Sequence, residues 1–173
     1  MGWLTEGPTY HGQLYDIPST GRVVATLLFV DFTDSRAGAG DDGSSVRQHL
    51  IGTLADRVYA DSLGATSFDF QVPSLTFRTL PGTLQRADFT SSPYQDLDDY
   101  FTAAIGAYSE VNLEEASFLI IATPHETRLE RSLSNWHTLP SGKKVFAVSL
   151  ARDAFYLNQV CIRIRNRVDG LLY

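Results

Sequence analysis

The sequence predicts a single α/β domain built on a mixed, twisted sheet with two main helices. Apolar runs of strand length alternate along the chain with stretches whose apolar residues recur every three to four positions. The longest run, Val23 to Phe32, is apolar on both faces, which is typical of a central strand covered on both sides. A length of 173 residues suits one domain with a substantial core better than two.

Composition and charge exclude some classes of protein. The net charge of −6 argues against a non-specific nucleic-acid binder, which needs a basic face. No apolar run reaches the roughly 18 residues that cross a bilayer, so no membrane span is expected. The N-terminus has no signal-peptide pattern, which leaves a cytosolic protein or one whose targeting segment is missing. The single cysteine, Cys161, excludes an internal disulfide and would need a nearby base to act as a nucleophile.

The first half of the domain contains one strand, one helix and a broken strand. Residues 1 to 20 have no period and predict an extended N-terminal segment, and an exposed loop at 37–45 follows the central strand. Ser45 and Gln48 form a capping box that begins a helix ending near Gly64. Residues 67–77 alternate around Pro73, which predicts an edge strand, a kink or two short strands before a turn at 79–83.

The second half begins with a helix at residues 93 to 109. Ser92 caps this helix, and acidic residues occupy its first turns. The helix dipole favours anions at that end, which is a sufficient structural explanation for the acidic residues. Buried strands are predicted at Ser117 to Ala122 and Lys144 to Leu150, with a polar stretch between them. The acidic residues of the first turns are Asp96, Asp98 and Asp99.

The C-terminal segment, residues 151 to 173, differs in character from the domain at 21 to 150. Arg163, Arg165 and Arg167 alternate there with apolar residues in a chain that is otherwise acidic. One interpretation is a surface edge strand. The other is that the tail after about Gln159 is foreign to the parent fold.

A glycine motif at residues 38–43 must be weighed as a nucleotide site. The sequence Gly38-Ala-Gly-Asp-Asp-Gly43 matches G-x-G-x-x-G between a strand and a helix. Both variable positions are aspartate, which would repel a pyrophosphate, and the first glycine lies several residues past the strand. A flexible surface loop is the favoured interpretation, and a P-loop is excluded because no Gly-Lys-Ser/Thr follows.

The four histidines, at positions 11, 49, 125 and 137, do not form a metal-binding pattern. A zinc-peptidase helix needs histidines at i and i+4, whereas His125-Glu126 is followed by leucine at position 129. His125 is therefore predicted to be a solvated loop residue. In Ser134-Asn135-Trp136-His137, the tryptophan is predicted to pack on the domain while His137 either faces solvent or edges a binding cleft.

Several segments in series resemble the immune-inhibitor-A-type zinc metallopeptidases. Residues 21–34, GRVVATLLFVDFTD, resemble the opening strand of that family, an apolar run that closes in Val-Asp-Phe-x-Asp. Tyr59 followed by Asp61-Ser-Leu-Gly64 resembles the family's Tyr…Ser-Tyr-Gly turn, with Leu63 in place of the aromatic residue. Leu80-Pro81, the helix at 93–109, Val111-Asn112 and the strand from Phe118 to Pro124 extend the resemblance over residues 20 to 150.

The resemblance implies a zincin-like N-terminal subdomain whose sheet supports a zinc-binding helix beginning soon after residue 150. It also implies zinc as the family's cofactor, protein or peptide substrates, and an extracellular location. Residues 152–173 contain no histidine, so no catalytic, cofactor-binding or metal residue is assigned and no zinc is expected on this chain. We predict a truncated or frame-altered relative that is inactive by itself. The alternatives are a binding or regulatory α/β module and, least favoured, a nucleotide-binding domain.

Overall fold

A computed structural model of the chain describes residues 21–39, 41, 43–49, 51–52, 55–61, 63–82, 97–124 and 133–150. Its strands and helices follow one another in chain order. They are β1 (Gly21–Phe32), α1 (Gly43–His49), α2 (Ala55–Asp61), β2 (Thr66–Gln71), β3 (Arg78–Leu80), α3 (Leu97–Gly106), β4 (Phe118–Ala122), β5 (Leu133–Thr138) and β6 (Lys144–Leu150). The predicted α/β class with a mixed sheet is confirmed.

The described strands form a six-stranded sheet with β1 near its centre. The order is β2-β1-β4-β6-β5, and β3 pairs with the end of β1. All pairings are parallel except β5 with β6, which is antiparallel. Helices α1 and α2 lie between β1 and β2 in the chain and α3 lies between β3 and β4, whereas β5 lies between the parallel neighbours β4 and β6. Parallel neighbours need such long crossover connections.

Both faces of β1 are buried, as its uninterrupted apolar run predicts. Every residue from Val23 to Phe32 is buried. One face packs under α3 and includes Leu28, Val30 and Phe32. The opposite face carries Leu27 and Phe29 against aromatic side chains of neighbouring strands. The aromatic partners on that face include Phe68, Phe118 and Phe146.

Two of the predicted elements differ from the observed ones in length. In place of one helix from Ser45 to Gly64, the described residues contain two seven-residue helices, α1 and α2, so two main helices are not confirmed. The second predicted helix is represented by α3, which ends at Gly106, three residues before the predicted end. Its predicted start at Ser92 lies outside the described residues, as do the predicted segments 1–20 and 151–173.

The region around Pro73 forms two short strands, one of the three outcomes predicted for it. Strand β2 pairs with Gly21–Thr26 of β1, and β3 pairs with Val30–Phe32. The second strand lies later than the alternation suggested, and it takes in Leu80, which was predicted to lie in a turn. Between β2 and β3 the chain does not pair with β1. Residues 27–29 of β1 therefore pair with neither short strand.

A tyrosine hydroxyl bonds to the backbone within this interval. The Tyr108 hydroxyl donates to the Phe29 carbonyl oxygen at 2.8 Å and accepts from the Phe29 N–H at 3.1 Å. The Tyr108 side chain is fully buried. One side chain from the segment after α3 thus satisfies both backbone polar groups of a central-strand residue, which would otherwise be buried without a partner.

Leu63 has an unusual backbone conformation in the turn between α2 and β2. Its φ is 52°, in the left-handed region that side chains with a Cβ adopt at a cost, and its side chain is 95% exposed. Leu63→Asn is expected to raise the free energy of unfolding by about 1 kcal/mol, since asparagine tolerates this conformation and no buried contact is lost. Urea unfolding measures the change. The control Leu63→Ala has no polar side chain to form the local hydrogen bond that eases this conformation, so it should gain nothing. An equal gain in both variants would contradict the assignment to backbone strain.

Candidate functional site

The antiparallel strand β5 is the terminal strand on one side of the described sheet. It pairs with β6 over the full range from Leu133↔Ser149 to Thr138↔Lys144 and with no other described strand. The prediction of a polar stretch without a strand in this segment is wrong. A terminal strand pairs on one edge only and therefore carries more polar residues than a central strand, so its apolar alternation is weak.

One edge of β5 directs backbone groups away from β6. The Trp136 N–H donates to the Asn135 side-chain oxygen at 2.9 Å, so it does not point into the β5–β6 ladder. Because the direction of backbone groups alternates along an antiparallel strand, the N–H and carbonyl of Thr138 point outward as well. Asn135 thereby occupies one donor of the edge, and Thr138 is exposed on the same edge. Such an edge can accept an extended peptide as a further strand.

Trp136 and His137 project from opposite faces of β5. The Trp136 ring is half-buried and meets the Phe146 ring edge-on at 5.4 Å between centroids, which confirms the predicted packing. His137 is only 4% exposed, so the prediction that it faces solvent is wrong and the alternative, that it edges a cleft, is confirmed. Its burial follows from the pleat, which directs it toward α3 rather than outward.

Asp98 and Phe101 of α3 hold the His137 ring. The Nδ1 atom of His137 lies 2.6 Å from the Asp98 carboxylate oxygen Oδ1, and the Phe101 ring contacts the imidazole edge-on at 6.1 Å between centroids. The Asp98 side chain is 62% exposed. The helix dipole is a sufficient local explanation for Asp98, so the sequence does not predict its contact with His137, which lies 39 residues away in the chain.

A groove lies beside this pair, between α3, the segment that follows it and the turn after β5. It has a volume of about 430 Å³. Its exposed surface is mostly apolar, although about half of its lining residues, His137 and Glu114 among them, carry polar side chains. The apolar residues of the lining are Ile105, Val111, Leu113, Leu139 and Pro140. The groove has the size and character of a small-molecule site.

The wall of the groove near Tyr108 is stabilised by a charged pair. The Arg78 guanidinium lies over the Tyr108 ring at 4.1 Å from its centroid, donates to the Ala107 carbonyl at 2.5 Å and binds Glu110 through two hydrogen bonds. The hydrogen bonds from Arg78 lower the pKa of the Glu110 carboxyl. Burial raises the pKa of the Tyr108 hydroxyl because it disfavours the phenolate.

The glycine motif at 38–43 has a structural explanation. The Gly38 N–H donates to the Asp41 carboxylate at 2.7 Å, and the Asp41 N–H donates to the Gly38 carbonyl at 3.0 Å. The carboxylate therefore occupies the first glycine donor, which a phosphate would need. Gly43 lies against the backbone of Leu75, where a Cβ would overlap the carbonyl oxygen. This geometry favours the loop interpretation over a nucleotide site.

Asp31 of the Val-Asp-Phe-x-Asp segment stabilises the loop that follows β1. Its carboxylate is nearly buried, accepts the Ala37 N–H at 3.0 Å and lies 3.5 Å from the Arg36 guanidinium. The carboxylate thus closes the chain back onto the end of the strand. This structural role explains why an acidic residue ends the apolar strand, and the explanation requires no bound ligand.

The described residues do not fit a catalytic zinc ion. Among them, no three His, Cys, Asp or Glu side chains form a group suited to a metal, and Nδ1 of His137 is already held by Asp98. His11, His125, Glu126 and Cys161 lie outside the described residues, so the expectations for them stay predictions. His49 is the last residue of α1.

Comparison with known proteins does not assign the chain to a family. No protein-family model matches the sequence, and no curated protein matches it. None of the helices in the described part of the chain has the length and apolar content needed to cross a bilayer.

Proposed function

We propose that residues 21 to 150 form the zincin-like sheet subdomain of a zinc metallopeptidase of the immune-inhibitor-A type. In this proposal the subdomain binds an extended polypeptide along β5 and does not cleave it by itself. The observation that carries the proposal is the antiparallel terminal strand β5, whose outer edge directs backbone groups away from the sheet. The resemblance of residues 20 to 150 to that family supports the same assignment.

Binding along β5 needs only the backbone groups of its outer edge. A peptide strand would pair with the outward N–H and carbonyl of Thr138 and would displace the Asn135 side chain from the Trp136 N–H. Main-chain hydrogen bonds would supply affinity, and neighbouring surfaces would supply preference among side chains. The residues present give no basis for a zinc-dependent step, so hydrolysis is assigned to none of them.

The test uses the purified 173-residue chain, zinc analysis and fluorescein-labelled β-casein as an unfolded polypeptide. We expect less than stoichiometric zinc, no cleavage of the casein, and saturable binding seen as a rise in fluorescence anisotropy. Thr138→Pro removes an outward N–H without touching the β5–β6 ladder and should weaken binding several-fold, because proline is tolerated on an edge. Thr138→Ala, the matched control, should bind like the unaltered chain.

Two results would overturn the proposal. Stoichiometric zinc together with cleavage would refute the inactive scaffold, and equal casein binding by Thr138→Pro and Thr138→Ala would refute the β5 edge as the binding surface. The coding sequence downstream of codon 159 separates the metallopeptidase assignment from the alternative, a binding module without catalysis. A His-Glu-x-x-His sequence in a longer reading frame favours the first.

A further inference from the structure

The groove is lined by a histidine whose second ring nitrogen has no hydrogen-bond partner in the described part of the chain. His137 is almost fully buried, and among the described residues its ring is held by the bond from Nδ1 to Asp98 and the ring contact with Phe101. The Nε2 atom has no hydrogen-bond partner among the described residues. No fully buried side-chain nitrogen or oxygen in the described part of the chain lacks a partner, so Nε2 is open to the groove that His137 lines.

Asp98 determines which nitrogen of the neutral imidazole carries the proton. An ionised carboxylate only accepts hydrogen bonds, so Nδ1 donates to Asp98 and keeps its hydrogen. In the neutral ring the other nitrogen, Nε2, is then an acceptor with its lone pair directed away from Asp98. Nε2 is therefore an acceptor of fixed orientation in a groove whose exposed surface is mostly apolar.

The lining determines which kind of ligand suits this acceptor. No lysine or arginine of the described residues lines the groove, and Glu114 does, so an anionic ligand would find no countercharge. Apolar walls from Ile105, Val111 and Leu139 make a charged ligand costly to desolvate. A neutral hydroxyl donates to Nε2 without either penalty, and the volume of about 430 Å³ lies in the range of small-molecule sites.

We propose that the groove beside α3 and β5 binds a small, mainly apolar molecule carrying a hydroxyl group, with that hydroxyl donating to Nε2 of His137. Asp98 is a positioning residue, since it sets the tautomer and touches no ligand. Thr138 belongs both to the lining of this groove and to the outer edge of β5, but the proposed contact is with the His137 ring and requires neither peptide binding nor zinc.

The test compares four probes of similar shape on the full chain at mildly alkaline pH. The probes are 4-ethylphenol, ethylbenzene, 4-ethylbenzoate and 4-ethylbenzylamine. Binding is followed by NMR on protein with ¹⁵N-labelled histidine, which reports the Nε2 resonance directly. We expect 4-ethylphenol to bind about tenfold more tightly than ethylbenzene and to shift the Nε2 resonance of His137. The other two probes should bind more weakly than 4-ethylphenol.

Two variants distinguish a role of His137 in binding from a role in folding. His137→Phe should make 4-ethylphenol and ethylbenzene bind equally. Asp98→Asn alters an exposed residue, frees the tautomer and should reduce the preference for the phenol while the protein stays folded. Equal binding of 4-ethylphenol and ethylbenzene by the unaltered chain, a preference for the carboxylate or the amine, or binding without a shift at Nε2 would each overturn the proposal.

Discussion

Tyr108→Phe is expected to lower the free energy of unfolding by about 2–4 kcal/mol. The substitution removes only an oxygen atom, but it leaves the N–H and the carbonyl of Phe29 unpaired in the middle of β1, and each unsatisfied buried group costs about 1–3 kcal/mol. Urea unfolding followed by circular dichroism measures the change, which should move the midpoint while the slope stays constant.

The control for this prediction is Tyr59→Phe. Tyr59 is 57% exposed, so the loss of its hydroxyl should change the free energy of unfolding by less than about 0.5 kcal/mol. A loss at position 108 no larger than at position 59 would mean that the hydroxyl is not needed to satisfy the β1 backbone.

Alkaline pH provides a second arm of the same experiment. Burial raises the pKa of Tyr108 above its ordinary value of 10.0, so the hydroxyl stays protonated in the folded protein at a pH where the unfolded chain loses the proton. The stabilisation from Tyr108 is complete below pH 10.0 and declines as pH rises toward the folded-state pKa. The stability difference between the unaltered protein and Tyr108→Phe should therefore shrink above pH 10.0.

Gly43→Ala is expected to lower the free energy of unfolding by about 1–3 kcal/mol, the range found when a packed site is overfilled. A Cβ at position 43 would overlap the carbonyl oxygen of Leu75 and lie 3.1 Å from its carbonyl carbon. The obstacle is backbone, which cannot rotate away like a side chain. Thermal or urea unfolding measures the loss.

Gly52→Ala is the matched control for Gly43→Ala. A Cβ at position 52 meets no atom within 4 Å, so alanine should leave stability unchanged or raise it by up to about 1 kcal/mol through lower chain entropy in the unfolded state. A neutral Gly43→Ala would contradict the close contact with Leu75. It would also leave the glycine at the last position of the motif at 38–43 without a structural explanation.

The parts of the fold that the sequence predicts best are those decided by local chemistry. The apolar run of β1 predicts a strand buried on both faces because it is rich in β-branched and aromatic residues and has no polar face. Pro73 predicts an interruption because proline has no N–H for a ladder. Where the second short strand begins depends on pairing with residues 30–32 of β1, which are distant in sequence.

The candidate site was harder to predict because long-range contacts create it. His137 reads as a polar residue in a polar stretch, and only α3 makes it a buried one. Asp98 has a sufficient local explanation at the start of a helix, so nothing in the sequence points to a histidine 39 residues away. The requirement for glycine at position 43 is likewise not visible in the sequence, because it arises from contact with the backbone of Leu75.

The bond between Tyr108 and Phe29 also ties the folding of α3 to that of β1. The Phe29 N–H donates to the hydroxyl of Tyr108, which follows α3 in the chain. Separation of α3 from the sheet would therefore break this bond and expose the backbone of β1 to water. Detachment of the helix and opening of the central strand then become one cooperative event. We therefore expect slow exchange of this amide with heavy water, at a rate that tracks global unfolding instead of local fraying.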